Sequence, residues 1–199
     1  MAKRSATSAP TILLLAAGRS TRMRGADKLL EVIDLQPLIR LMAARCVKAG
    51  PTRVVLGPNQ AARRTALEDV SLEIVEAPEG AGMAASFKAG VEGLTGPVLV
   101  VLADMPEVTA YDLHVLLALS EQAPDAILRA ATKDGIAGHP VLFPADLLPD
   151  LGQLKGDDGA KQILTREAAR LHLVPLQGKR AITDLDTPED WDQWRAARH

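Results

Sequence analysis

With one cysteine in 199 residues, Cys46, the chain has no partner for an intrachain disulfide and no cysteine pair for a zinc site. Aromatic residues make up only 3% of the sequence, so the core must be aliphatic, and there is little with which to stack the bases of a nucleic acid. A formal net charge of −2 also lacks the basic excess of a nucleic-acid binder. No apolar run approaches membrane-spanning length, and Met1 to Pro10 lacks the hydrophobic centre of a secretory signal. Nucleic acid and membrane are therefore not expected partners, and a cytoplasmic location is the default expectation. The four histidines show no metal-ligand spacing, and no Ser/His/Asp signature stands out. His114 reads as a helix-surface residue, His172 as a strand-edge residue and His199 as part of a frayed tail.

What is present is unevenly spread. Residues 1–64 hold twelve Lys/Arg and three Asp/Glu, leaving eleven and twenty-two for the remaining 135. A basic end beside an acidic remainder suits an anionic ligand together with carboxylates that hold a cation. Short apolar runs alternate with amphipathic stretches, the sequence form of a parallel sheet covered by helices on both faces. Strands are predicted at Ile12 to Leu15, Thr52 to Leu56, Leu72 to Val75 and Pro97 to Ala103, the last apolar throughout and therefore central. Helices are predicted over 37–49, 59–68 and 83–94, the last with Met83, Phe87, Val91 and Leu94 on one face, and another begins near Thr109 with Asp112 placed for a cap. Leu38, Leu41, Met42 and Cys46 share a face of the first helix, which reads Cys46 as a core thiol. Two later strands, Ala126 to Ala131 and Gly138 to Phe143, are predicted to run antiparallel to the rest and to form one wall of a cleft. Residues 1–10 read as a disordered tail and 11–199 as one domain.

Three stretches carry candidate chemistry. Leu13 to Leu29 runs from a buried strand through Ala16, Ala17 and Gly18 into Arg19, Arg22, Arg24 and Lys28, against the single acid Asp27. Small residues let backbone N–H groups approach an anion and the cations pair with phosphate oxygens, although a solvated basic loop has the same composition. It is neither a P-loop, since Lys28 is followed by Leu29, nor a G-x-G-x-x-G fingerprint. Asp104 ends the strongest strand, either as a turn residue before Pro106 or as a carboxylate at the ligand-binding edge of an α/β sheet. Asp184 and Asp186 precede a helix start at Thr187-Pro188, and capping does not account for them. Ala77 to Ser86 reads as a strand, a glycine-bearing loop and a helix N-terminus, or as a plain turn.

Taken in order, Leu15-Ala16-Ala17-Gly18 with Arg22-Met23 and Lys28-Leu29-Leu30, Gly82-Met83 with Ser86, Leu102 to Pro106, Gly138-His139-Pro140, Gly156 to Ala160 and Asp184 to Asp190 resemble the nucleotidyltransferases that complete the molybdenum cofactor. The resemblance implies an α/β, three-layer Rossmann-like nucleotidyltransferase fold with a mostly parallel central sheet. It implies that Ala17, Gly18, Arg19 and Ser20 wrap a triphosphate that Arg22 and Lys28 neutralise, with Arg22, Lys28 and Asp104 catalytic. Asp104 and Asp186 would carry Mg²⁺. Ala16, Ala17, Pro78, Gly82, Met83 and Ser86 would line the base and ribose pocket, and Gly138, His139 and Asp157 would face a phosphorylated pterin acceptor. Ala17, where guanylyl-transferring members have a second glycine, and Gly82-Met83 resemble the cytidylyl branch, which favours CTP over GTP. The sequence departs from the pattern in the extra Arg24 and in Leu35-Gln36, which replaces a glycine turn before Pro37. A sugar-phosphate nucleotidyltransferase would differ near residues 133–160, and a non-enzymatic chaperone or insertion partner for a molybdoenzyme would bind the acceptor without releasing pyrophosphate.

Overall fold

The computed structural model describes residues 8–79, 82–156 and 159–198. Seven strands form one sheet in the order β5-β4-β1-β6-β8-β7-β9. They are β1 (Thr11–Leu15), β4 (Thr52–Leu56), β5 (Glu73–Glu76), β6 (Val98–Leu102), β7 (Ile127–Ala131), β8 (Ala137–Phe143) and β9 (Leu171–Pro175). A two-stranded hairpin, β2 (Val32–Ile33) and β3 (Gln36–Pro37), stands apart from it. The helices are α1 (Leu38–Ala49), α2 (Ala61–Thr65), α3 (Gly82–Val91), α4 (Ala110–Gln122), α5 (Leu148–Gly152), α6 (Lys161–Arg166) and α7 (Pro188–Ala197).

The layering follows from side-chain alternation along the central strands. Ile12 and Leu14 of β1 and Leu99 and Val101 of β6 face one core with Met42, Cys46, Leu113 and Trp191, from α1, α4 and α7. Leu13, Val98 and Val100 face the other, with Phe87 of α3, Leu151 of α5 and Ile163 of α6. Both faces are covered, which is why β6 reads as an unbroken apolar run. β6 is the central strand of the seven.

The expectation for the two later strands needs correction: only β8 reverses. It is antiparallel to both β6 and β7, so β7 runs in the same direction as the parallel majority, and β9 pairs parallel to β7. The crossover through α4 brings β7 back parallel, and a tight turn at 132–136, with Gly135 at φ 82°, then lays β8 between β6 and β7. The helix predicted over 59–68 is a five-residue α2, because the chain turns after Thr65 through shorter i→i+3 bonds, Leu67 to Arg64 and Val70 to Leu67. α3 ends at Val91, and Met83 is 42% exposed instead of lying on its buried face.

Two capping boxes mark the helix starts nearest the site. Thr109 and Asp112 close α4, and Thr187 and Asp190 close α7, whose first residue is Pro188. α7 is tied across the basic segment by Arg24 to Glu189, Arg195 to Glu31 and Arg198 to Asp34. Among the described residues no helix is long and apolar enough to cross a membrane.

Candidate active site

The candidate groups close to the basic loop after β1 sit at one edge of the sheet, beyond the carboxyl ends of β1 and β6, where ligands bind in open α/β folds. The loop leaves β1 at Ala16 and turns through Ser20 in the left-handed region, φ 47°, and through Arg24 and Gly25 at φ 53° and 99°. It re-enters regular structure at a short 3-10 turn, Lys28–Leu30, capped by the Asp27 carboxylate, which accepts from Leu29 N at 3.0 Å. A Cβ added at Gly18 would meet nothing within 4 Å, so this glycine faces open space.

Lys28 is the centre of the constellation. Its Nζ donates to Oδ2 of Asp104 at 2.5 Å and also to Oδ1 of Asp186, with the lysine side chain 12% exposed. Burial by itself pushes the ammonium down, but Asp104 and Asp186 together outweigh it and hold the Lys28 pKa above its ordinary value. Asp186 gives its other oxygen to Arg22 Nη1 at 2.6 Å. Leu185, 2% exposed, donates its N–H to the Asp104 carbonyl at 3.1 Å and anchors the segment between its two acidic neighbours. Asp184 is pushed above the usual carboxylate range by partial burial and then by Asp104 and Asp186, against a backbone hydrogen bond and Lys28. The alternation of Asp184, Leu185 and Asp186 thus has a packing reason: the apolar residue goes in and both acids turn towards Asp104.

The residues fit a divalent cation. Asp104 Oδ1 is buried and has no partner among the described residues, although Oδ2 is bonded, and together with Asp186 it offers hard oxygen donors of the kind Mg²⁺ takes alongside substrate phosphates. Among the described residues no group of three or more His, Cys, Asp or Glu is arranged to hold a metal unaided, so bound phosphate would have to complete the shell.

His139 lies on β8, two residues from Val141, which pairs with Val100 of β6. Burial, then the charge of Arg129, pushes its pKa down to about 4 against the pull of Asp104, so it is neutral at pH 7, and its Nδ1 is buried without a partner among the described residues. It borders a cavity of about 400 Å³ walled by Met83, Phe87, Val141 and Leu164, with Arg129 on its β7 side. Gly138 is there for packing: a Cβ would fall 1.8 Å from the Ala181 carbonyl oxygen, which accepts from His139 N at 2.8 Å. Cys46 is a core thiol, pushed up to about 12 by burial.

The structure therefore brings together Arg22, Lys28, Asp104 and Asp186 directly, with His139 adjoining. Pro78, Gly82 and Ser86 make no hydrogen bond to the loop among the described residues: Pro78 is exposed after β5, Gly82 opens α3 at φ 65°, and Ser86 is 7% exposed within α3. Asp157 lies outside the described residues. Two contributors were missed from sequence, Gln60 and Arg63, which meet the loop from behind. Their only local signal is a polar, basic stretch, Asn59 to Arg64, that looks like any solvated helix start.

The MobA-like NTP transferase domain matches residues 12–171. The molybdenum cofactor guanylyltransferase of Serratia proteamaculans strain 568 is 28% identical over 189 residues, covering 93% of this chain and 93% of that one. The purine catabolism protein PucB of Bacillus subtilis strain 168 is 30% identical over 128 residues, 61% of this chain and 59% of PucB, so the chain spans under two thirds of that relative. Among solved structures, Rv0371c from Mycobacterium tuberculosis H37Rv superposes with a TM-score of 0.79 at 24% identity, covering 94% of this chain and 98% of that one. The same protein has been solved in complex with manganese, with a TM-score of 0.76 at 23% identity over 94% of this chain and 97% of that one. At these identities the likeness to the solved structures establishes the fold.

Proposed function

The chain belongs to the MobA-like NTP transferase family, and from that premise we propose that it transfers a nucleoside monophosphate, CMP by preference, from the triphosphate to the terminal phosphate of a molybdenum-pterin cofactor. The observation that carries the proposal is the Lys28 ammonium held between Asp104 and Asp186 at the exit of a loop whose glycine faces open space.

An acceptor phosphate oxygen attacks the α-phosphorus in line. The new P–O bond forms as the bond from the α-phosphorus to the bridging oxygen breaks, and pyrophosphate leaves with that electron pair. A phosphate dianion needs no base to attack, which agrees with a neutral His139 whose pKa of about 4 leaves it a poor proton acceptor at pH 7. The chain's own work is positioning and charge neutralisation. The loop from Ala17 to Ser20 cradles the triphosphate, Arg22 and Lys28 offset its charge, and His139 faces the acceptor side. Asp104 and Asp186 would hold Mg²⁺, which supplies charge neutralisation to the phosphate oxygens. The manganese complex of Rv0371c supports a divalent ion at this fold.

Cytidine is preferred on Ala17 and Gly82-Met83. Guanosine is the second reading, favoured by the guanylyltransferase that matches along 93% of the chain. Thermal unfolding with CTP, GTP, UTP and ATP, each with and without Mg²⁺, separates them, since a ligand at about 100 times its dissociation constant adds about 2.7 kcal/mol. A Mg²⁺-dependent shift with CTP alone supports the first reading and a shift with GTP the second, while no shift with any nucleotide removes both. Asp104→Ala is expected to abolish turnover with the fold intact; near-normal activity removes Asp104 from the mechanism.

A further inference from the structure

Arg63 carries a buried guanidinium for which the proposed chemistry has no use. It comes from the short helix α2, behind the loop, and its side chain is 2% exposed. Four bonds leave it, all to one loop. Nε and Nη2 grip the Asp27 carboxylate at 2.7 and 2.8 Å, Nη2 also donates to Ser20 Oγ at 3.2 Å, and Nη1 donates to the Ala16 carbonyl. Three turns of sequence are thereby fixed: the entry at Ala16, the left-handed Ser20, and the exit at Asp27, immediately before Lys28. Three residues before Arg63, Gln60 Nε2 donates to the Ala17 carbonyl at 3.0 Å, while its Oε1 accepts from Gly57 N at 2.8 Å.

Holding those two carbonyls has a geometric consequence. In a trans peptide the C=O and the following N–H point in opposite directions. With the Ala16 and Ala17 carbonyls drawn towards α2, the N–H groups of Ala17 and Gly18 are aimed away from it, and neither donates to any group among the described residues. The same contacts also change the charge of the loop. Asp27 is its single acid, and Arg63 neutralises it, leaving Arg19, Arg22 and Lys28 less opposed. Stability does not require this arrangement, because a buried ion pair is commonly replaceable by apolar groups of similar volume at little cost.

We propose that Arg63 and Gln60 are positioning residues that pre-aim the Ala17 and Gly18 N–H groups at a polyphosphate. This rests on the nucleotidyltransferase reading, and the probe is chosen so that the two fail separately: inorganic tripolyphosphate, measured by calorimetry beside CTP and GTP. Gln60→Leu removes the Ala17 anchor and the acceptor for Gly57 N but no charge, and is expected to weaken tripolyphosphate binding about fivefold, the loss of the one net hydrogen bond that aims the loop. Arg63→Met combined with Asp27→Asn removes the remaining anchors without stranding a carboxylate, and is expected to weaken it roughly tenfold or more, with a melting temperature within a few degrees of wild type. Arg63→Lys keeps the charge but lacks the planar fork, and groups with the weak variants.

In turnover, the nucleotide KM rises with kcat nearly constant, because the lost contacts serve ground and transition states alike. Tripolyphosphate binding equal in wild type and in all three variants overturns the proposal, as does a wild-type protein that does not bind it. Weakened variants in a protein that binds tripolyphosphate but neither nucleotide leave the positioning role standing and remove the nucleotidyltransferase reading. A fall in melting temperature alone, with binding intact, would make Arg63 structural and also overturn it.

Discussion

Replacing Lys28 by methionine keeps the aliphatic stem and deletes the one charge shared by Asp104 and Asp186. Because both carboxylate oxygens lie 2.5 Å from Nζ, they are within about 5 Å of each other. At an effective dielectric of about 20, two unit charges at that distance repel by about 3 kcal/mol. The three side chains are 12%, 18% and 26% exposed, so solvent screening removes only part of this. For a chain of this length the loss corresponds to a fall in melting temperature of roughly 6–12 °C near pH 7.5.

The pH dependence has a definite sign. Asp184 already has a folded-state pKa above its unfolded value, and Lys28 is one of the groups holding that rise down. In Lys28→Met the folded state binds the proton of Asp184 more tightly still, so stability falls as pH rises through that window and is recovered on acidification. Wild-type Lys28, whose folded pKa is raised, contributes its stabilisation fully below its unfolded value and loses it only in strong alkali as pH climbs through the folded one. Thermal unfolding of both proteins at pH 5 and pH 7.5 therefore shows a gap that narrows at pH 5. A Lys28→Met protein within about 2 °C of wild type at pH 7.5, with a gap unchanged at pH 5, would refute the idea that Lys28 neutralises the acidic cluster.

Leu35→Gly is expected to stabilise the fold by about 1 kcal/mol, since Leu35 is 98% exposed and held at φ 68°, where an L side chain is strained and glycine is not; thermal melting checks it. Gly138→Ala is expected to cost about 3 kcal/mol, at the upper end for overpacking, because its Cβ would collide with the backbone at Ala181, and the shift would propagate to Asp186 and reduce turnover. Denaturant unfolding and an initial-rate assay on that one variant would test both halves of the statement.

Much of this protein is set by local pattern. The apolar runs of β1 and β6 and the periodic helices α1 and α4 signal a sheet covered on both faces, because hydrophobic period is a property of consecutive residues. The caps at Thr109 and Thr187 are equally local, each closed within four residues. Ala16 to Lys28, Asp104 and Asp186 could be singled out as chemistry-bearing for the same reason: small residues, clustered cations and acids at strand ends are visible one stretch at a time. Only the tertiary structure decided how they meet. Lys28 and Asp186 are 158 residues apart, and a cation read as a partner for phosphate proves to stand between two carboxylates. The direction of β7 was decided by the α4 crossover, and the hairpin that follows inserts β8 between two parallel strands, which no periodicity encodes. Arg63 is the clearest case. In sequence it is one of two adjacent arginines in a polar helix, yet Arg64 pairs at the surface with Glu76 while Arg63 is buried against Ala16, Ser20 and Asp27, because the strand order places α2 behind the loop. A side chain's burial and its distant partners are set by packing, and only the assembled fold supplies that packing.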